Sequence, residues 1–124
     1  MGFAVDTSWI DGCAVVAVTG EVDLGAEAFL RARLQEAFAG TRSGGGTGAG
    51  VVLDLSETTF MDARGISVLV AARAMAAESR IPLRVVGIRP RIRSMLGLVG
   101  LDTAFCALPE TRGLPAAREV QTPG

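Results

Sequence analysis

The sequence contains no histidine and no lysine, so all 12 of its basic side chains are arginines. Without an imidazole, the chain cannot form a Ser-His-Asp or Cys-His catalytic group. Without a lysine, it can form neither a Schiff base nor the phosphate contact of a P-loop. We therefore expect a protein that is not an enzyme and that needs no cofactor.

Cysteine is also scarce: Cys13 and Cys106 are the only two, and no CxxC spacing suggests a zinc site. If the predicted strands stack in chain order, three strand spacings of about 4.8 Å separate these residues. A disulfide requires Cα atoms within about 7 Å. We therefore predict no metal site and no intramolecular disulfide, and we interpret both cysteines as small buried hydrophobic residues.

Strong charge and long apolar runs are absent as well. The net charge of -1 gives no general attraction to nucleic acid or to an anionic membrane. No apolar run approaches the roughly 20 residues of a membrane-spanning helix, and the first residues do not resemble a signal peptide. We expect a cytoplasmic protein with neither a membrane nor a nucleic acid as partner.

What the chain does have is enough apolar residues for one core, 49% of 124. We assign a single domain to residues 1–120 and a frayed tail to residues 121–124. Strand and helix patterns then alternate. The predicted strands are 3–9, 13–18, 51–55, 83–86 and one near 104–107. The predicted helices are 24–39, 62–78, 90–99 and one within 111–120.

Local signals mark the ends of these elements. Asp11-Gly12 predicts a tight hairpin turn, Asp23 and Asp62 predict helix N-caps, and Gly40 predicts a helix end. Helical spacing predicts the buried side chains of the first helix: Ala26, Phe29, Leu30, Leu34, Ala37 and Phe38. The same spacing predicts those of the second helix: Ile66, Leu69, Val70, Ala74 and Ala77.

Repeated strand-helix-strand units imply a mostly parallel sheet with right-handed crossovers, and the hairpin adds an antiparallel first strand. The predicted fold is therefore α/β, with four to five strands in a mixed sheet and three to four flanking helices.

The point where the strand beginning at Val51 leads to the helix after Asp62 has distinctive chemistry. Unpaired backbone N–H groups and the positive end of the helix dipole gather in the first helical turn. A phosphoryl group there would add about -1.5 to -2 charges and would block a tight protein contact. A hydroxyl just after Asp62 would therefore make a switch for docking, but this position is Ala63.

Several segments, in this order over about residues 3–110, resemble the anti-sigma factor antagonists of the STAS domain family. The matching pieces are Thr19-Gly20-Glu21-Val22-Asp23, Asp54-Leu55, Phe60-Met61-Asp62 with Gly65, and Gly87-Ile88-Arg89-Pro90 to Leu98-Val99-Gly100-Leu101. The resemblance implies a STAS-like fold and a partner-switching function. Such a protein binds an anti-sigma factor, usually a serine kinase with a GHKL-type ATP fold, and thereby frees a sigma factor in bacterial transcription regulation.

Carried over to this chain, the resemblance implies a partner-binding set of Asp23, Met61, Asp62, Ala63, Arg64, Gly65 and Ser67. Asp62-Ala63-Arg64-Gly65 departs twice from the usual D-S-S-G. Ala63 occupies the phosphoacceptor position and cannot be phosphorylated, and the cation at Arg64 can change the choice of partner. Ser67, one turn along the helix, is the leading substitute acceptor. We expect a monomer or a weak homodimer.

Plainer interpretations stand beside these. Asp23 and Asp62 can be helix caps alone, and Asp54 is better explained as a structural carboxylate. The arginines Arg84, Arg89, Arg91 and Arg93 suit a solvated face, or else a nucleotide-binding STAS domain. A further alternative is a non-phosphorylatable STAS scaffold module, or a dimeric sensor subunit, that binds another regulator.

Overall fold

The computed structural model describes residues 2–43 and 50–98. Its elements are β1 (Phe3–Ile10), β2 (Cys13–Val22), α1 (Leu24–Ser43), β3 (Val51–Met61), α2 (Ala63–Ser79), β4 (Leu83–Val86) and α3 (Pro90–Leu98). The predicted strand near 104–107, the last predicted helix and Cys106 lie outside the described residues.

The strands form one sheet in the order β1-β2-β3-β4. β1 is antiparallel to β2, and the pairs β2–β3 and β3–β4 are parallel. This arrangement confirms the predicted mixed α/β sheet with an antiparallel first strand. The hairpin closes at Asp11 and Gly12, whose positive φ values of 51° and 82° give the two-residue turn that suits the twist of paired strands.

Strands β2 and β3 both continue beyond their predicted ends, to Val22 and Met61. Two register shifts place extra residues on β3, so its later part lacks a regular alternation of polar and apolar side chains. The buried Thr58 hydroxyl donates to the Val18 carbonyl at 3.0 Å and ties the irregular stretch to β2. The polar run before Phe60, which the predicted strand 51–55 did not include, is therefore part of β3.

Helix α1 passes through Gly40, so the predicted C-cap there is wrong. A Cβ atom at Gly40 would lie 2.7 Å from Cη2 of Trp9, which shows that the glycine makes room for the indole ring. The Thr41 hydroxyl donates to the Ala37 carbonyl at 2.7 Å within the continuing helix. Close packing, not helix termination, explains this glycine.

The buried faces of the helices follow the predictions only in part. α1 buries the predicted residues except Phe29, which is 48% exposed and packs edge-on against Phe3. On α2, Val70, Ala74 and Ala77 are exposed, contrary to prediction. The buried residues of α2 are Gly65, Ile66, Val68, Leu69 and Ala72. Because this helix is apolar on most sides, helical spacing alone could not select the face that meets the sheet.

We expect Thr58→Val to lower the free energy of unfolding by about 1 to 3 kcal/mol, because it removes a buried hydrogen bond to the Val18 carbonyl. The neighbouring Thr59 is exposed, so Thr59→Val is the matched control and should change stability by less than about 0.5 kcal/mol. Urea unfolding of both variants measures the difference. Equal effects would contradict the role given to the Thr58 hydroxyl.

Candidate partner-docking site

β2 and β3 end side by side, and a helix follows each strand at once. Val22 and Met61 are paired in the parallel register, and the next residues are Asp23 and Asp62. The Asp62 N–H donates to the Val22 carbonyl at 3.3 Å, which extends the pairing by one more bond. The N-termini of α1 and α2 therefore emerge together at one edge of the sheet.

Asp62 caps α2, as predicted. Its Oδ1 accepts hydrogen bonds from the backbone N–H groups of Arg64 at 2.9 Å and Gly65 at 3.3 Å. Its carbonyl accepts from the Ile66 N–H at 3.0 Å, and its extended backbone leads the strand into the helix. The carboxylate thus satisfies two of the N–H groups that a helix start leaves unpaired.

Asp23 caps α1 in a similar way. Its Oδ1 accepts from the Gly25 N–H at 3.0 Å, and its carbonyl accepts from the N–H groups of Ala26 and Glu27 at 3.1 and 3.2 Å. The residue is exposed, as Ala63 and Arg64 are in the first turn of α2. One edge of the sheet therefore presents two capping carboxylates and an accessible first helical turn.

Met61 and Gly65, two residues of the predicted partner-binding set, lie beneath this surface. Met61 is 1% exposed. A Cβ atom at Gly65 would overlap with Met61 Cγ and would lie 3.1 Å from Val22 Cγ1. These residues hold the start of α2 close against the sheet. Of the other predicted residues, Asp23, Ala63 and Arg64 are exposed, and Asp62 and Ser67 are half-buried.

The structure adds one residue that the sequence did not single out, Glu27 in the first turn of α1. Its Oε2 accepts from Arg31 Nη2 at 3.2 Å and from the Ser67 hydroxyl at 3.2 Å. Its Oε1 lies 3.5 Å from Arg64 Nη1. Glu27 thereby joins α1 to α2. The i,i+4 spacing to Arg31 was visible in the sequence, whereas the contacts with Arg64 and Ser67 arise from tertiary structure.

These contacts change the acidity of Glu27. The hydrogen bond from Arg31 is the largest cause that lowers the pKa of this carboxyl, and Ser67 and Arg64 lower it further against the opposing effect of partial burial. The single O–H of Ser67 also lies 2.8 Å from the Arg64 carbonyl of its own helix, so the Glu27 carboxylate and this carbonyl share one hydrogen. The hydroxyl of the proposed substitute phosphoacceptor is therefore engaged between α1 and α2.

One arginine of the predicted cluster, Arg89, makes hydrogen bonds within the fold. Arg89 donates from Nε and Nη2 to the Ser56 carbonyl at 3.0 and 2.9 Å. Next to it, Gly87 has a φ of 72°, and a Cβ there would lie 2.6 Å from the Ser56 nitrogen. Asp54 is 3% exposed and accepts from the Ser56 N–H at 2.9 Å, as expected of a structural carboxylate. Arg89 thus fastens the segment after β4 to β3.

A shallow groove of about 400 Å³ lies at the far ends of α1 and α2, away from the caps. Its lining residues are Gln35, Phe38, Ala39, Met75, Glu78 and Ser79.

Within residues 2–43 and 50–98, no group of acidic, cysteine or histidine side chains could hold a metal ion. No helix in the described part of the chain has the length and hydropathy needed to cross a bilayer.

Residues 5–110 match the family model described as "Mlab, STAS domain", and the chain therefore belongs to the STAS domain family. No curated protein sequence matches the chain at a significant level.

Solved structures of the same fold include proteins described as anti-sigma factor antagonists. An anti-sigma factor antagonist from Mycobacterium paratuberculosis is 26% identical, with a TM-score of 0.69 over 84% of this chain and 83% of that chain. The Bacillus cell fate determinant SpoIIAA in its phosphorylated form is 18% identical, with a TM-score of 0.59 over 81% and 85%. An antisigma-factor antagonist STAS domain from Rhodobacter sphaeroides is 19% identical, with a TM-score of 0.52 over 68% and 86%.

We expect Gly65→Ala to destabilise the protein by about 1 to 3 kcal/mol, because the new methyl group overlaps with the buried Met61 side chain. Gly25→Ala is the matched control in the first turn of α1. A Cβ there meets nothing nearer than Asp23 Oδ1 at 3.6 Å, so this variant should be neutral or slightly stabilising. Thermal unfolding compares the two, and equal losses would contradict this packing role.

The lowered pKa of Glu27 predicts a pH dependence of stability. A carboxyl whose pKa is lower in the folded state stabilises the fold above its unfolded pKa, and this contribution disappears as the pH falls through the folded value. Native protein should therefore exceed Glu27→Gln in stability near pH 7, and the gap should close in acid below about pH 4.

Urea unfolding at a series of pH values measures this gap. Glu36→Gln is the control, since Glu36 is 74% exposed and its carboxylate lies 3.9 Å from Arg33 Nε. If the difference in unfolding free energy between native protein and Glu27→Gln stays constant from pH 7 to acid, the charge of Glu27 contributes nothing to stability.

Proposed function

We propose that this STAS domain is an anti-sigma factor antagonist. It would bind an anti-sigma factor, most simply a GHKL-type serine kinase, and so free a sigma factor. The observation that carries the proposal is the pairing of two capped helix N-termini at one sheet edge, with Ala63 and Arg64 exposed in the first turn of α2. Such an antagonist works in the cytoplasm as a monomer or weak homodimer and has no catalytic step of its own.

Support also comes from the similar structures. The Mycobacterium paratuberculosis and Rhodobacter sphaeroides proteins are described as anti-sigma factor antagonists. SpoIIAA has been solved in unphosphorylated and phosphorylated forms, so phosphorylation accompanies this fold in at least one antagonist. This chain has the same fold, but its position after Asp62 has a methyl group instead of a hydroxyl.

The absence of a hydroxyl at Ala63 removes the usual switch. Ser67 is a poor replacement, because its hydroxyl donates to the Glu27 carboxylate at 3.2 Å. A phosphoryl group on Ser67 would bring about -1.5 to -2 charges against that carboxylate. We therefore propose an antagonist that stays bound to its anti-sigma factor when ATP is present, so that its regulation passes to another step.

The direct experiment measures complex formation between the chain and candidate anti-sigma kinases, with and without ATP, by size-exclusion chromatography. We expect the native chain to bind and to remain bound with ATP. Ala63→Ser should be phosphorylated at the introduced serine and then released, because the new charges would lie in the contact. Phosphopeptide mass spectrometry identifies the modified residue.

A double variant, Ala63→Ser with Ser67→Ala, is the control for phosphorylation at Ser67 and should behave as Ala63→Ser does. If ATP releases the native chain, the switchless antagonist is refuted. If neither chain binds any candidate, the antagonist function itself is wrong, and the scaffold module for another regulator becomes the better hypothesis.

Asp62→Asn separates helix capping from partner docking. Asparagine caps a helix about as well as aspartate, so the melting temperature should stay close to the native value. If the charge of Asp62 contacts the anti-sigma factor, the affinity should fall by about tenfold or more. Calorimetric titration and thermal unfolding measure the two effects, and Asp23→Asn gives the same comparison at the start of α1. An unchanged affinity would leave Asp62 as a cap alone.

A further inference from the structure

We propose that Arg64 determines partner choice by binding a carboxylate of the partner protein. This inference rests on the proposed function and assigns to one side chain the chemistry that the partner must supply. Arg64 is the second residue of α2, directly after Ala63, and its side chain is 55% exposed. It therefore lies within any contact that covers the first turn of this helix.

The guanidinium group of Arg64 makes few polar contacts within the described residues. Its one hydrogen bond or ion pair there joins Nη1 to Glu27 Oε1 at 3.5 Å. A guanidinium has five N–H donors in a planar fork that matches a carboxylate with two parallel hydrogen bonds. Most of these donors therefore make no hydrogen bond or ion pair within the described residues.

Glu27 does not compete strongly for Arg64. Its other oxygen already accepts the two shorter bonds, from Arg31 and from the Ser67 hydroxyl, each at 3.2 Å. Exposed ion pairs of this kind contribute little stability. A carboxylate on a partner can therefore replace or share the Glu27 contact at small cost, while Glu27 keeps its remaining bonds between α1 and α2.

The neighbouring groups favour a carboxylate over a phosphate. Asp23 and Asp62 carry negative charge at the same edge and direct Oδ1 toward backbone N–H groups. They would repel a doubly charged phosphoryl group more than a singly charged carboxylate. Ala63 and Val70, which share one exposed face of α2, can supply apolar contact beside the charge. The expected occupant of the Arg64 fork is thus an aspartate or glutamate of a partner protein, with apolar side chains beside it that meet Ala63 and Val70.

The test uses the anti-sigma kinase that binds the native chain and measures its dissociation constant by calorimetric titration. Arg64→Met keeps most of the unbranched aliphatic stem of the side chain but removes the guanidinium charge, and should weaken binding by about tenfold or more. Arg64→Glu should weaken binding by about a hundredfold, and Arg64→Lys should fall between Arg64→Met and native because it keeps the charge without the fork. Arg73→Met is the matched control on α2, since Arg73 is exposed nine residues further on, and should stay within about twofold of native.

Two further measurements distinguish direct contact between Arg64 and the partner from an indirect role of Arg64 in holding α1 to α2. Glu27→Gln should bind as well as native or more tightly, because Arg64 then loses its internal competitor. Charge reversal of the partner's acidic residues, one at a time, should reveal one position whose change to arginine restores binding of Arg64→Glu.

The outcomes are distinct. If native and Arg64→Met bind equally, this inference is wrong although the antagonist function stands. If Glu27→Gln loses as much affinity as Arg64→Met, Arg64 only holds α1 to α2, and the inference again fails. If a native chain binds no candidate kinase, the proposed function and this inference fail together.

Discussion

The parallel pairing of β2 and β3, maintained to Val22 and Met61, is the constraint on which the rest of this structure depends. Each strand is followed at once by a helix, so two strands that end in register bring two helix N-termini to one edge. If either strand ended where its regular alternation of side chains stops, α1 and α2 would start at different positions along the strand direction. The bulges of β3 and the buried Thr58 hydrogen bond keep the pairing intact through an irregular stretch.

The charged groups at this edge follow from that geometry. Asp23 and Asp62 satisfy the N–H groups of their own helices, so their positions are fixed before any partner arrives. Glu27 then joins the helices by accepting from Ser67 and lying beside Arg64. The surface proposed for docking therefore rests on two paired strands and carries charged side chains. Ala63 has a methyl group at the position where the family resemblance implies a phosphorylatable hydroxyl. A phosphorylation switch would depend on one side chain, whereas the proposed docking surface is formed by several.

Sequence patterns predicted most of the fold because the strongest signals are local. Asp11-Gly12 closes a hairpin by its own backbone preference, and Asp62 caps α2 by its own side chain. The errors at Gly40 and Val70 have a different origin. Gly40 looks like a helix end, but the Trp9 ring that needs its space lies 31 positions earlier in the chain. The apolar character of α2 on most sides left its buried face undetermined until the helix met the sheet.

For the described residues, the sequence by itself determined the element types, the two caps and the absence of a hydroxyl at Ala63, because each depends on residues that are neighbours along the chain. It also excluded histidine- and lysine-based catalysis outright, since those side chains are absent. Only the tertiary structure decided that Met61 and Gly65 lie inside and that Ser67 is engaged with Glu27. Those relations join residues up to 43 positions apart, as Gly65 and Val22 are. They depend on how the strands align and how closely the helices pack, which no short pattern of residues encodes.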